Sequence, residues 1–344
     1  MLTKIIDQAK IDKVETYFEK AERLVIVSHV SPDGDAVGSS LGLYHFLTGM
    51  GKDVHVIVPN AFPEFLRWLN GAKDIIRYDK YSEFADKLIA EAEVICCLDF
   101  NALSRIDVMA NSVEASSGRK VMIDHHLFPG DFCKVVISHP EISSTSELVF
   151  RLICRLGCFD EITREAAECI YTGMMTDTGG FTYASNNREI YFIISELLSK
   201  GIDKDEIYRK VFHTYSEDRL RLMGYVLYEK MQVIPQYHTA FITLTQKEQD
   251  RFKCVKGDTE GFVNMPLQMK EVFFSAFFRE DAEKKMIKVS LRSQGDFPCN
   301  QLAAEFFNGG GHKNASGGEF YGTMDECLER FKAAVVKFEK LLTL

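Results

Sequence analysis

The sequence has no surplus of positive charge: 41 Lys and Arg stand against 50 Asp and Glu, a formal net charge of −9, with an isoelectric point near 5.6. A protein that grips long nucleic acid needs a broad basic face, and this balance argues against one. A short phosphorylated ligand stays open, because a local cation cluster or bound metal ions can supply the charge it needs. No run approaches the roughly 18 uncharged apolar residues of a membrane span. The opening stretch, MLTKIIDQAKIDKVETYFEKAERL, is amphipathic and mixed in charge, unlike the apolar core of a secretory leader. CxxC pairs, internal repeats and low-complexity segments are missing as well. The nine cysteines sit mainly in apolar runs such as Val94–Leu98, and read as reduced core residues of a cytoplasmic protein.

What is present is an ordinary globular composition, 46% hydrophobic and 26% charged, over 344 residues, a length that predicts two domains. Helical spacing covers 5–22, and a short β-branched run at Leu24–Val27 reads as a strand. A helix is expected over Ala36–Leu47, strands at Val54–Val58, Val94–Leu98 and Lys120–Ile123, and a helical segment near 101–110. Further helices fall near 144–157 and 163–175, with a long helical stretch from 188 to 230. This alternation predicts an α/β fold, a doubly wound, mainly parallel sheet. Past Pro235 the texture changes: strands at Thr239–Leu244, Glu271–Phe278 and Met286–Leu291, a glycine-rich loop, and a helix near 324–342. The expected layout is a catalytic domain at 1–190, a helical connector at 191–230 and a smaller α/β domain at 231–344.

Three expected strands run straight into potential metal ligands. The first is followed by Ser28-His29-Val30-Ser31-Pro32-Asp33-Gly34-Asp35, another by Asp99, a third by Asp124-His125-His126. Ligands of an open parallel sheet bind at the carboxyl ends of its strands, so these clusters can converge despite their separation in sequence. Crowded carboxylates repel one another unless cations lie between them, and two divalent ions about 3.5–4 Å apart form a known apparatus for phosphoryl chemistry. Hard oxygen ligands mixed with imidazoles and no thiolate suit Mn²⁺, with Mg²⁺ or Co²⁺ as alternatives. A fourth piece, Asp177, ends a helical stretch and enters Thr178-Gly179-Gly180-Phe181. Each piece alone has a bland reading: the DxD as a solvated loop or helix cap, Asp99 as another cap. The combination carries the argument.

In that order, these residues resemble the DHH phosphoesterase superfamily, named for the motif present here as Asp124-His125-His126. Gly309-Gly310-Gly311-His312 through Gly318 resembles the glycine-rich signature of its DHHA1 companion domain. The size and layout are most similar to the bacterial nano-RNase group. That resemblance implies hydrolysis of very short RNAs and of 3′-phosphoadenosine 5′-phosphate (pAp) by metal-activated water. It implies that His29, Asp33 and Asp99 hold one ion and that Asp35, Asp99, His125 and Asp177 hold the other, Asp99 bridging. His126 would face the scissile phosphate, with Asp124 orienting its neighbours; no residue is marked as the leaving-group acid. Where the family often carries an Arg after the motif present here as Asp177-Thr178-Gly179-Gly180-Phe181, the chain has Thr182-Tyr183. A homodimer is left open.

In the second domain, Gly309, Gly310 and Gly311 allow close backbone approach to a phosphate, and His312 and Arg292 are the residues expected to grip a terminal phosphate or nucleotide. The aromatic run Phe273–Phe278 reads as a core strand before it reads as a base-stacking surface. Ser143-Ser144-Thr145 is expected to cap a helix. Inside the superfamily the rivals are an inorganic pyrophosphatase or exopolyphosphatase and a cyclic-dinucleotide phosphodiesterase. Outside catalysis the rival is a nucleotide-sensing binding protein.

Overall fold

In the computed structural model, which describes residues 3–342, the chain divides into two compact units, 1–214 and 215–344. The first unit begins with α1 (Gln8–Lys20), β1 (Arg23–Val27), α2 (Gly34–Gly49), β2 (Asp53–Val58), β3 (Ile76–Arg77) and α3 (Tyr78–Glu91). It continues with β4 (Val94–Leu98), α4 (Met109–Ala115), β5 (Arg119–Asp124), β6 (Val135–Ser138) and the helices α5 (Thr145–Arg155), α6 (Arg164–Asp177), α7 (Arg188–Ser199) and α8 (Lys204–Phe212). The six strands pair in parallel in the order β3-β2-β1-β4-β5-β6.

Strands buried on both faces explain the continuous apolar runs in the sequence. Successive side chains of β1 feed opposite cores: Leu24 and Ile26 pack with α1, α2, α5 and α6, whereas Val25 and Val27 pack with α3 and α4. This is the doubly wound arrangement the alternation predicts.

The second unit holds α9 (Glu217–Tyr225), β7 (Met231–Ile234), β8 (Thr239–Leu244), α10 (Gln246–Arg251), β9 (Phe274–Asp281) and β10 (Met286–Ser293). It closes with α11 (Cys299–Phe306), β11 (Gly310–His312), β12 (Ala315–Phe320) and α12 (Met324–Lys337). Its mixed sheet runs β11-β12-β10-β9-β8-β7, with only β8 and β9 parallel. Phe241, Phe274, Phe278, Phe307 and Phe331 fill the core beneath α11 and α12. Phe277 enters a smaller cluster on the other face. The aromatic run is therefore core, apart from half-buried Phe273.

Four expectations need correction. The stretch 188–230 is three helices and a turn, broken at Gly201 (φ 84°) and before the Ser216 cap, and is followed by β7. The segment near 101–110 is a 3₁₀ turn at Leu103–Ile106 followed by α4. The strand expected at 271–278 lies three residues later, because Phe273 and Phe274 first turn to donate to the His238 carbonyl. The glycine-rich loop is an edge hairpin, β11 against β12. Its glycines permit close strand contact: a Cβ on Gly311 (φ 135°) would lie 2.7 Å from the Ala315 carbonyl oxygen, and Gly309 abuts Gly317. No helix among the described residues is long and apolar enough to cross a membrane, and all nine cysteines are free thiols.

Candidate metal centre

The strand order turns back at β1 and β4: β2 and β3 extend the sheet on one side, β5 and β6 on the other. Loops leaving the two strands at such a switch diverge and open a crevice. His29 follows β1 and Asp99 follows β4, so both stand at that crevice; His125 follows β5, one strand further on. Asp35 lies in the first turn of α2 and Asp177 ends α6.

The helices meet through a glycine stripe. A Cβ on Gly38 would lie 2.6 Å from the Cys169 carbonyl oxygen and 2.8 Å from the Gly173 nitrogen, and one on Gly42 would lie 2.6 Å from Ile170. Gly34 faces Thr176 equally closely. Spaced four apart, these glycines share one helix face, letting the α2 and α6 backbones touch and bringing Asp35 and Asp177 to one place.

The geometry forms two donor sets around one carboxylate. His29 Nε2 is 3.3 Å from Asp99 Oδ2 and 3.8 Å from Asp33 Oδ1. His125 Nε2 is 3.5 Å from Asp99 Oδ1, 3.4 Å from Asp177 Oδ2 and 3.9 Å from Asp35 Oδ2. The two oxygens of Asp99 thus serve different sets. His29 Nδ1–H donates to the Val30 carbonyl at 2.9 Å, and His125 Nδ1–H to that of Ile142 at 3.2 Å. A carbonyl only accepts, so each ring carries a proton on Nδ1 and turns Nε2 towards the carboxylates, where it meets either a second proton or a cation. Imidazole nitrogens aimed at carboxylate oxygens with lone pairs on both sides describe a cation site, and the donor set fits two divalent ions.

Asp99 adopts φ 64°, a left-handed conformation that Asp tolerates better than most residues. Its amide donates to the Ile123 carbonyl, and Thr145 Oγ1 donates to Oδ1 at 2.9 Å. Asp35 accepts from the Thr145 and Ser146 amides at 2.6 and 2.9 Å, at the N-terminus of α5. Asp33 caps α2 through the Asp35 and Ala36 amides. His126 Nδ1 lies 2.8 Å from Asp124 Oδ1, and its amide donates to Oδ2, so Asp124 fixes the ring from two sides.

The protein's own charges are strained here. Burial, then the charges of Asp99 and Asp177, push the Asp35 carboxyl well above its ordinary value. Burial works against ionised Asp99, but the hydrogen bond and charge of His29 outweigh it and hold Asp99 low. Burial also opposes a charged His125, yet Asp177, Asp99 and Asp35 raise it to about 9. For His29 burial is again overcome, by Asp99 and Asp33, and the value is raised. Bound cations would replace those protons.

In the second unit, Arg292, Ala315 and His312 stand in one cross-strand row over β10, β12 and β11. Strands about 4.8 Å apart set Arg292 and His312 roughly 10 Å apart on the same face. Arg292 Nη1 donates to the Leu291 carbonyl at 2.9 Å. Gly310 and Gly311 lie in the same edge strand, with Gly309 preceding it.

Sequence reasoning missed several contributors. Ser144 is the α5 cap as expected, but Thr145 also reaches Asp99. Arg105, whose carbonyl accepts from the Val30 amide at 2.8 Å, places positive charge beside His29 and pairs with no carboxylate among the described residues. The Gly34-x3-Gly38-x3-Gly42 spacing was the readable signal for the α2–α6 contact.

The DHH family N-terminal domain matches residues 23–174 and the DHHA1 domain residues 236–341. Over 313 residues the chain is 32% identical to the bifunctional oligoribonuclease and PAP phosphatase NrnA of Thermus thermophilus, covering 91% of this chain and 89% of that protein. The chain belongs to the DHH–DHHA1 phosphoesterase family. Among solved structures, an exopolyphosphatase-related protein from Bacteroides fragilis is 70% identical, with a TM-score of 0.96 and 99% of each chain covered. The exonuclease RecJ of Thermus thermophilus, in complex with Mn²⁺, shares the fold at 12% identity and a TM-score of 0.56, covering 98% of this chain and 56% of that one. As a DHH–DHHA1 member the protein is a hydrolase of phosphoesters, and its acidic and histidine clusters are those that could hold the metal.

Proposed function

We propose that this DHH–DHHA1 protein hydrolyses short oligoribonucleotides to mononucleotides and removes the 3′-phosphate of pAp, using two divalent ions, Mn²⁺ foremost. The observation that carries this reading is Asp99, whose two oxygens face separate histidine–carboxylate sets. His29, Asp33 and Asp99 would hold one ion, and Asp35, Asp99, His125 and Asp177 the other. Such ions lower the pKa of water and neutralise charge gathering on phosphate oxygens.

The chain's own groups do the rest. Thr145 and the α5 amides keep Asp99 and Asp35 in place. Asp124 holds the His126 ring so that Nε2 can meet a phosphate oxygen. Arg105 adds positive charge beside His29. Arg292, His312 and the Gly309–Gly311 backbone would grip the terminal phosphate or nucleotide that sets register. The oligoribonuclease and PAP phosphatase activity of the NrnA relative, alike along nine-tenths of its length, supports this substrate class.

A second reading, exopolyphosphatase, draws on the name of the 70%-identical Bacteroides fragilis protein. A side-by-side panel in Mn²⁺ separates them: pAp, a 5′-phosphorylated dinucleotide, pyrophosphate, polyphosphate and a cyclic dinucleotide. Turnover of the first two above the rest is expected. Preference for polyphosphate would replace this reading with the second, and saturable binding without turnover would favour a nucleotide sensor.

A further inference from the structure

The loop that follows His126 is built to present one ring. Phe128 is 86% exposed and sits at φ 60°, a backbone region in which a bulky residue is an outlier. Neighbouring structure enforces this conformation. Asn101, two residues after Asp99, donates from Nδ2 to the Leu127 carbonyl at 2.7 Å, and its own carbonyl accepts from the Gly130 amide at 2.7 Å. A Cβ on Gly130 would lie 3.2 Å from that carbonyl oxygen, so the approach favours glycine. Further along, Phe132 stacks on buried Phe100, ring centroids 5.9 Å apart and planes 12° apart. The loop is thus pinned on both sides of its Leu127-Phe128-Pro129 tip, and both pins reach the strand end that carries Asp99.

An apolar ring held in water by strained, well-anchored backbone at the rim of a functional site calls for a flat apolar ligand. Two residues of chain span at most about 7 Å, so Phe128 stands from His126 at a distance comparable to that between a nucleotide's phosphate and its base. We propose that Phe128 is the platform on which a base of the substrate stacks, making it a specificity residue that separates nucleotides from base-free phosphate compounds. The proposal rests on the nucleotide reading of the site.

The test compares wild type, Phe128→Ala and Phe128→Trp in Mn²⁺ on a 5′-phosphorylated dinucleotide and on its abasic counterpart, in which hydrogen replaces each base. Stacking on an aromatic side chain is sequence-tolerant and supports a loss of about tenfold in kcat/KM for Phe128→Ala on the dinucleotide. The loss should fall mainly on KM, with the abasic ester unaffected and Phe128→Trp restoring the wild-type value. Equal losses on both substrates, or none on either, overturn the stacking role. Wild type that cleaves both esters equally well sinks it while leaving phosphoester hydrolysis standing. Wild type that cleaves neither, yet cleaves polyphosphate, sinks the nucleotide reading and the proposal with it.

Discussion

Asp99 and His312 separate two kinds of contribution at the residue scale. Asp99 touches both histidine sets, so Asp99→Ala should remove hydrolysis by a factor on the order of a thousand or more in kcat. His312→Ala should act chiefly on KM, because His312 stands in the sheet row with Arg292, the pair expected to grip a phosphate or nucleotide. Steady-state kinetics on pAp checks this division; equal losses in kcat with unchanged KM for both variants would contradict it. His29, Asp99 and His125 were legible in the sequence because each follows a short apolar strand directly, and strand ends converge by topology. Thr145 and Arg105 were not, since their contacts with the centre depend on how α5 and the 103–106 turn dock. The edge hairpin at Gly310–His312 was read as a loop for a related reason: glycine signals loops, whereas here Gly309 and Gly311 also let the chain approach β12 closely.

Among the elements, the α2–α6 contact controls the spacing of Asp35 and Asp177. Gly38→Ala would drive a methyl group into backbone atoms that have no rotamer to yield. It should cost about 1–3 kcal/mol of stability and weaken Mn²⁺ affinity alongside, read by thermal unfolding and by metal titration. A second tie joins α5 and α7. Glu189 accepts from the Thr3 amide and hydroxyl and pairs with Arg151, which also pairs with buried Glu147. The Thr3 hydrogen bonds and the Arg151 guanidinium hold the Glu189 carboxyl down at about 2. A depressed carboxylate contributes stability above its unfolded value and loses it as pH falls through the folded one. Glu189→Gln should therefore cost about 2 kcal/mol at neutral pH, with the gap to wild type narrowing below about pH 4.5 and closing as pH approaches 2. Denaturant melts across pH 2–7 test this, and a gap that widens on acidification would refute it. The helix pattern of α2 was legible, but its burial on all sides was not, because a helix packed all round shows no polar face.

For the whole molecule, charge sets what can be bound. With a formal net charge of −9, the chain should bind long duplex DNA weakly at physiological salt. Mn²⁺, the ion of the proposed reading, would instead relieve the crowded carboxylates and bind the folded state alone. At a hundredfold excess over its Kd it should stabilise the fold by about 2.7 kcal/mol, a rise of roughly 5–10 °C in the melting of the first unit. Asp99→Asn should lose most of that rise while keeping the melting temperature seen in chelator. A rise of equal size in Asp99→Asn would place the ions elsewhere.

The left-handed backbone at Asp99 has one more outcome. The same peptide unit aims both oxygens, so a disturbance there shifts the two halves of the centre in concert and leaves no half-assembled form to fall back on. Random variants around residues 98–100 should accordingly sort into active and silent classes with few grades between them.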